Sequence, residues 1–184
     1  MAAGNPERDR EAEGALRPEN LISDSYLKLL IEAHAEPNWG TSAEAHIEDV
    51  CSLIAKYGAD TVLDYGCGKG VLSQVIDVTN YDPATYPELP NPHDLVLCID
   101  VMEHVEEGSV SAVLSHIASL TKCAAFFVIS CQPAVKKLAD GRNAHITIQE
   151  PKWWRDQLIK HGLKPTDEFI PKGDKAYMVV CQPV

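Results

Sequence analysis

The chain has 184 residues, 45% of them hydrophobic and 23% charged, and carries a formal net charge of −11. That is enough for one substantial core and an ordinary composition for a single globular domain. The shortage of Lys and Arg argues against a protein whose main task is to grip phosphate backbones, so a nucleic-acid partner is not expected. No apolar stretch approaches the roughly 20 residues of a membrane span, and the N-terminus lacks the basic-then-apolar pattern of a signal peptide. Six cysteines without a C-x-x-C pair read as reduced thiols inside apolar runs. A cytoplasmic protein with no membrane partner is the expectation.

Residues 1–20 begin with Ala, Gly, Glu and Arg and almost no large apolar side chains, the composition of a mobile tail. The remainder, 21–184, reads as one domain, with 21–58 a helical cap and 59–184 the core. Ser23 and Asp24 suit the N-terminus of a helix that places Tyr26, Leu29, Leu30 and Ala33 on one face. After the turn Pro37-Asn38-Trp39-Gly40, Thr41 to Glu44 has the form of a capping box. The helix behind it carries Ile47, Val50, Cys51 and Ile54 and ends at Gly58.

Thr61-Val62-Leu63-Asp64 is a buried strand that runs into Gly66, Gly68 and Gly70. Glycines at such a strand-to-helix turn permit positive φ and close approach of a ligand to the backbone. Val71, Leu72, Val75 and Ile76 then predict a short helix, and the stretch to Asp82 a second strand. Between Pro83 and His93 stand four prolines, too many for a helix or an interior strand. Asp94 to Asp100 is a third strand, Val110 to Ala118 a helix, and Ala124 to Ile129 a fourth strand. A polar loop spans Gln132 to Gln149. Pro151 opens a helix with Trp154 and Leu158, closed by Gly162. Phe169-Ile170 and Tyr177 to Cys181 read as an antiparallel hairpin. Strands alternating with helices make an α/β protein with a mostly parallel sheet.

The stretch Asp64-Tyr65-Gly66-Cys67-Gly68-Lys69-Gly70 resembles the D-x-G-x-G-x-G motif of class I S-adenosylmethionine-dependent methyltransferases. The resemblance extends to Asp82, to Asp94-Leu95-Val96 with Asp100-Val101-Met102-Glu103-His104-Val105, and to the terminal hairpin, over roughly residues 60 to 182. It implies a Rossmann-like three-layer sandwich and S-adenosylmethionine as cofactor. It also implies that Asp64, Gly66, Cys67, Gly68 and Gly70 lie along the methionine and sugar portions. Asp82, followed by Pro83, would hold the ribose hydroxyls, because a carboxylate offers two acceptors to a vicinal diol; a simple Asp-Pro turn is the alternative. Asp100, Val101 and Met102 would lie beside adenine and sulfonium. A nicotinamide enzyme would want G-x-G-x-x-G, and Val71 occupies the slot of its third glycine.

On the acceptor side, His104 resembles the Glu-His pair of many small-molecule methyltransferases. It is a candidate base, with packing under the adenine as the alternative. Arg142, Asn143 and His145 form a polar cluster on the long loop, where they would bind, orient or deprotonate an acceptor, unless the loop is simply solvated. Trp39 stands where related enzymes cover the cofactor, or it packs a turn. No two histidines share the H-x-x-x-H spacing, so no metal is expected.

In one respect the chain departs from the family. A complete member carries a helix and a strand between the Asp82 and Asp94 positions, and the short proline-rich link here leaves no room for them. A sheet of about six strands follows. The expected activity is methyl transfer to an oxygen or nitrogen of a small or carrier-borne molecule. Base methylation is disfavoured because Asp100 to Glu103 is not an Asn/Asp-Pro-Pro-aromatic motif. A non-catalytic cofactor-binding module is the further alternative, and the oligomeric state stays open.

Overall fold

The structure, a computed structural model, describes residues 21–173 and 175–184. The tail expected at 1–20 lies outside the described residues, as does Asp174. Six strands form one sheet: β1 (Val62–Tyr65), β2 (Thr79–Tyr81), β3 (His93–Ile99), β4 (Thr121–Ser130), β5 (Leu163–Phe169) and β6 (Ala176–Pro183), in the order β2-β1-β3-β4-β6-β5. The first four run parallel, with Leu63 beside Val96 and Val96 beside Ala125. β6 lies antiparallel to both β4 and β5.

Residues Leu95 to Ile99 are all buried, as a strand covered on both faces requires. Successive side chains point to opposite faces, and they enter two cores. Leu95, Leu97 and Ile99 meet Val50 of α2 (Ile47–Tyr57), while Val96 and Cys98 meet α3 (Val110–Leu120) and α4 (Pro151–Lys160). The result is the expected three-layer sandwich. As the short link predicts, β3 follows β2 without an intervening helix and strand and pairs directly with β1.

The first helix, α1 (Asp24–His34), joins neither face. Its Tyr26 packs with Trp39, Leu138 and Ala144 in a third cluster. That cluster ties the helix to the long loop beyond β4. Its first turn is fixed twice: Ser23 Oγ accepts from the Tyr26 amide, and Ser23 N and Oγ both donate to the Glu106 carboxylate at 2.8 Å.

Three local expectations give way. The predicted helix after the glycine turn is only a 3-10 turn, Leu72–Gln74. Val71, Leu72, Ile76 and Val78 pack on the α2 side as an irregular crossover, while Val75 is 64% exposed. The second strand is correspondingly short. The capping box does not form: Thr41 makes no side-chain cap bond, and a 3-10 turn, Ser42–His46, precedes α2. Gly58 does close α2 at φ 58°. Finally, β5 starts at Leu163 rather than at Phe169; as an edge strand it buries only Leu163, so it carries almost no apolar signal.

Cys51, Cys67, Cys98, Cys123 and Cys181 are free thiols; Cys67, Cys98 and Cys181 are buried, Cys131 is half-buried, and Cys51 and Cys123 are exposed. Among the described residues no helix is long and apolar enough to cross a membrane.

Candidate active site

A cavity of about 520 Å³ opens at the carboxyl ends of the parallel strands, between the sheet and α1. This is where open α/β sheets bind ligands, and the volume is that of a small-molecule pocket.

One wall is the glycine turn. The amides of Gly66 and Cys67 donate to the Tyr81 carbonyl at 2.7 and 3.1 Å, so the end of β2 holds the turn in place. Gly66 (φ 79°) lies so near Val101 that a Cβ would come within 2.4 Å of its Cγ2. Gly68 (φ 54°) faces Gly40, where a Cβ would stand 2.7 Å from the Gly40 Cα. The cap locks on here: Lys69 N donates to Gly40 O at 3.0 Å, and Lys69 Nζ to His34 O at 2.8 Å. Gly66 and Gly68 line the cavity, whereas Cys67 is buried beneath it. Gly70 stands away from the cavity, against Asn80 and Tyr86.

Two carboxylates lie at the turn. Asp64, at the end of β1, is 2% exposed and its Oδ2 has no hydrogen-bond partner. Burial, and then the Asp82 charge, push its carboxyl up to about 7. Asp82 reaches the cavity with Pro83. Its Oδ1 accepts from the Ala84 and Thr85 amides at 2.8 and 3.3 Å, and its Oδ2 accepts from Gly68 N at 3.2 Å. His34 Nε2 approaches the same Oδ2 at 3.9 Å. Burial holds the His34 imidazole below its ordinary value against the pull of Asp82. His34 was not among the expected site residues; it sits in the last turn of α1, and no motif marks it.

The titration of Asp64 has a consequence. Its native pKa stands above the unfolded value, so the folded state keeps the proton longer. The stability linked to Asp64 is complete below about pH 4 and is lost as the pH rises through about 7. The Asp82 carboxyl and the buried thiols of Cys67 and Cys98 are its titratable neighbours. Asp64→Asn, which mimics the protonated form, is expected to be more stable than the wild type at pH 8 by on the order of 2 kcal/mol. At about pH 3.5, below the ordinary carboxylate value, the two are expected to be nearly alike. Urea midpoints at the two pH values measure the difference.

A neighbouring wall follows β3. Asp100 is the one non-glycine residue with positive φ among the described residues, at 53°, a strain that persists where the surroundings fix it. Asp100 and Val101 line the cavity, while Met102 is fully buried in the core. Next comes the 3-10 turn Met102–His104. Glu103 is 0% exposed; its Oε1 accepts from Ser130 N at 3.0 Å and its Oε2 has no partner. Burial, then the Asp100 charge, push this carboxyl up to about 8. His104 lies between the rings of Trp39 (5.9 Å) and His145 (4.9 Å). Burial, then His145, push it down to about 4, so it is neutral at physiological pH.

The long loop folds back over this wall. Thr147 N donates to Glu103 O at 3.0 Å and Thr147 Oγ1 to Val105 O at 2.6 Å. His145 reaches the cavity; Arg142 and Asn143 do not line it. Asn143 Oδ1 accepts from the Ala134 and His145 amides, both at 2.9 Å, and its Nδ2 donates to Ala134 O at 2.8 Å. The amide side chain is spent on shaping the loop that presents His145. Arg142 pairs with Asp140 at 2.7 Å and lies 5.6 Å over the Tyr26 ring of α1. Trp39 lines the cavity, with the Lys136 ammonium 5.3 Å from its ring centre.

The comparisons with known proteins agree with this geometry. A family model described as a methyltransferase domain matches residues 42–167. No curated protein sequence matches the chain. Among solved structures, a Burkholderia thailandensis 1,6-didemethyltoxoflavin-N1-methyltransferase with bound 1,6-didemethyltoxoflavin and S-adenosylhomocysteine is similar at a TM-score of 0.61. It is 17% identical, over 100% of this chain and 92% of that one. A magnesium protoporphyrin IX methyltransferase from Synechocystis PCC 6803 with bound S-adenosylmethionine is similar at 0.51, with 18% identity and 100% of both chains covered. The mitomycin 7-O-methyltransferase MmcR is similar at 0.52, with 15% identity, over 87% of this chain and 54% of that one. At such identities the structures establish a shared fold, and the family model carries the assignment. With its glycine turn, six-stranded sheet and terminal antiparallel hairpin, the chain belongs to the class I S-adenosylmethionine-dependent methyltransferases.

Proposed function

We propose that the enzyme methylates an oxygen or nitrogen of a small or carrier-borne molecule, and that cofactor and acceptor share the cavity under α1. The observation that carries this reading is that one cavity is lined both by the glycine turn with Asp82 and by the imidazoles of His104 and His145.

The residues fit the cofactor. Asp64 offers a buried carboxylate oxygen that lacks a partner, suited to the α-ammonium group through water. Asp82 is already oriented by three amide donors and faces the cavity as an acceptor for the ribose diol. Gly66 and Gly68 keep side chains off the wall against which the methionine portion lies. Asp100, Val101 and Pro83 are the residues left to bound the adenine, in place of those on the absent strand and helix. When bound, S-adenosylmethionine supplies a methyl group on a sulfonium that departs as a neutral thioether. The chain's part is therefore positioning and exclusion of water. Trp39 and α1 close the roof, and His145 and His104 present nitrogen lone pairs to the acceptor side. A molecule of modest size fits a cavity of this volume, and the net charge of −11 disfavours a polyanionic acceptor.

Transfer of a labelled methyl group from S-adenosylmethionine into fractionated cell extract tests the proposal. Label is expected in the small-molecule or carrier-borne fraction. Label confined to nucleic acid, or absent from every fraction, would contradict it.

A further inference from the structure

We propose that Glu103, His104 and His145 together bind a divalent first-row transition cation whose open coordination positions face the acceptor half of the cavity. One nitrogen of each imidazole and one Glu103 oxygen lie within 4.8 Å of one another. Donors held 2.0–2.2 Å from one cation stand about 3–3.5 Å apart, so the three close by about an ångström on loading.

The tautomers of the two imidazoles are the ones a cation requires. His104 Nδ1 lies 2.8 Å from the Ala144 carbonyl, and His145 Nδ1 lies 2.6 Å from the Gln132 carbonyl. A carbonyl only accepts, so each Nδ1 carries the ring proton and each Nε2 keeps its lone pair. Imidazoles that hold metals are oriented by such backbone bonds. Glu103 supplies the third donor. Its Oε1 is fixed by the Ser130 amide, while Oε2 is fully buried and has no partner, a state that calls for an explanation in a native protein. The bonds from Thr147 to Glu103 and Val105 hold the distant part of the chain against the 3-10 turn, and within that loop the His145 amide donates to Asn143 Oδ1. His145 thus joins a pair from which it is separated along the chain, which is why motif spacing does not reveal the set.

Two imidazoles and one carboxylate select for Mn²⁺, Fe²⁺, Co²⁺, Ni²⁺ or Zn²⁺ over Mg²⁺ and Ca²⁺, which take oxygen donors. Three protein ligands leave at least one position open. Both histidines line the cavity, so that position is available to an oxygen donor of the acceptor. With the cation bound, the Nε2 lone pairs hold the metal and not a proton of the acceptor. The role at the acceptor rests on the methyl-transfer reading of the cavity, whereas the binding itself is testable without it.

The test is Co²⁺ and Zn²⁺ binding to chelator-treated full-length protein, by equilibrium dialysis and by the visible bands of Co²⁺. One equivalent is expected, with Mg²⁺ and Ca²⁺ failing to displace it. His145→Ala and Glu103→Gln are expected to weaken it by at least about a hundredfold, while His46→Ala, outside the set, leaves it unchanged. His145 is half-exposed on a loop, and circular dichroism checks that its variant folds. No stoichiometric binding, or an affinity in His145→Ala within twofold of the wild type, overturns the site. Titration of the same samples with S-adenosylhomocysteine separates the two readings. Heat from that ligand without Co²⁺ binding overturns the cation site alone. Co²⁺ binding without that heat supports the site and tells against the methyl-transfer reading.

Discussion

Gly68→Ala is expected to lower Tm by roughly 10 °C and to weaken S-adenosylhomocysteine binding at least about tenfold. Two costs combine. The residue sits at φ 54°, where a side chain costs about 1–2 kcal/mol. Its new Cβ would also stand 2.7 Å from the Gly40 Cα and 2.8 Å from the Gly40 oxygen. Those are backbone atoms and cannot rotate away. To relieve the clash the cap has to lift from the glycine turn, which breaks the Lys69 bonds to Gly40 and His34. Gly58→Ala is the matched control. It has nearly the same φ, 58°, but nothing lies within 4 Å of its added Cβ, so only the conformational cost applies, about 1–2 kcal/mol. Thermal melts of the two variants separate strain from collision. Equal losses would mean that the Gly40–Gly68 contact is not what holds the cap down.

The parts of the fold visible in the sequence are those where burial leaves a periodic trace. Val62 to Tyr65, the segment leading to Ile99 and the Ala124 to Ile129 stretch are covered on both faces, and their continuous apolar runs show it. The missing strand and helix were equally legible, because the four prolines between Pro83 and His93 exclude both elements. The crossover at 71–78 misled for a physical reason: apolar residues at helical spacing also serve an irregular segment that packs sideways against α2. Edge strand β5, Lys-Pro-Thr-Asp-Glu through most of its length, offers no hydrophobic alternation at all.

Within the site, the glycine turn and Asp82 announced themselves by order and spacing along the chain. The acceptor side did not. Arg142 and Asn143 look like ligand-binding residues on a polar loop, yet Asn143 is consumed in fixing His145, and Arg142 pairs with Asp140 beside Tyr26. Glu103 draws attention only through its neighbour His104, and its importance rests on complete burial with one oxygen unpartnered. His34 comes to Asp82 from α1, across a gap no local pattern encodes.

Asp82→Asn carries the other large expected effect. Asparagine keeps one acceptor oxygen for the Ala84 and Thr85 amides, so the turn that Oδ1 organises survives. It replaces Oδ2 with an NH₂ group, which opposes the Gly68 N–H and can no longer accept from a ribose hydroxyl. Hydrogen bonds to a charged acceptor contribute about 1.5–3 kcal/mol, so affinity should fall about 10- to 100-fold with Tm changed by only a few degrees. The most direct measurement is therefore calorimetric titration of wild type and Asp82→Asn with S-adenosylhomocysteine. A saturable one-to-one isotherm is expected for the wild type and one at least tenfold weaker for a folded Asp82→Asn. An absence of heat with the wild type, or equal affinities in the two proteins, would contradict this cofactor site.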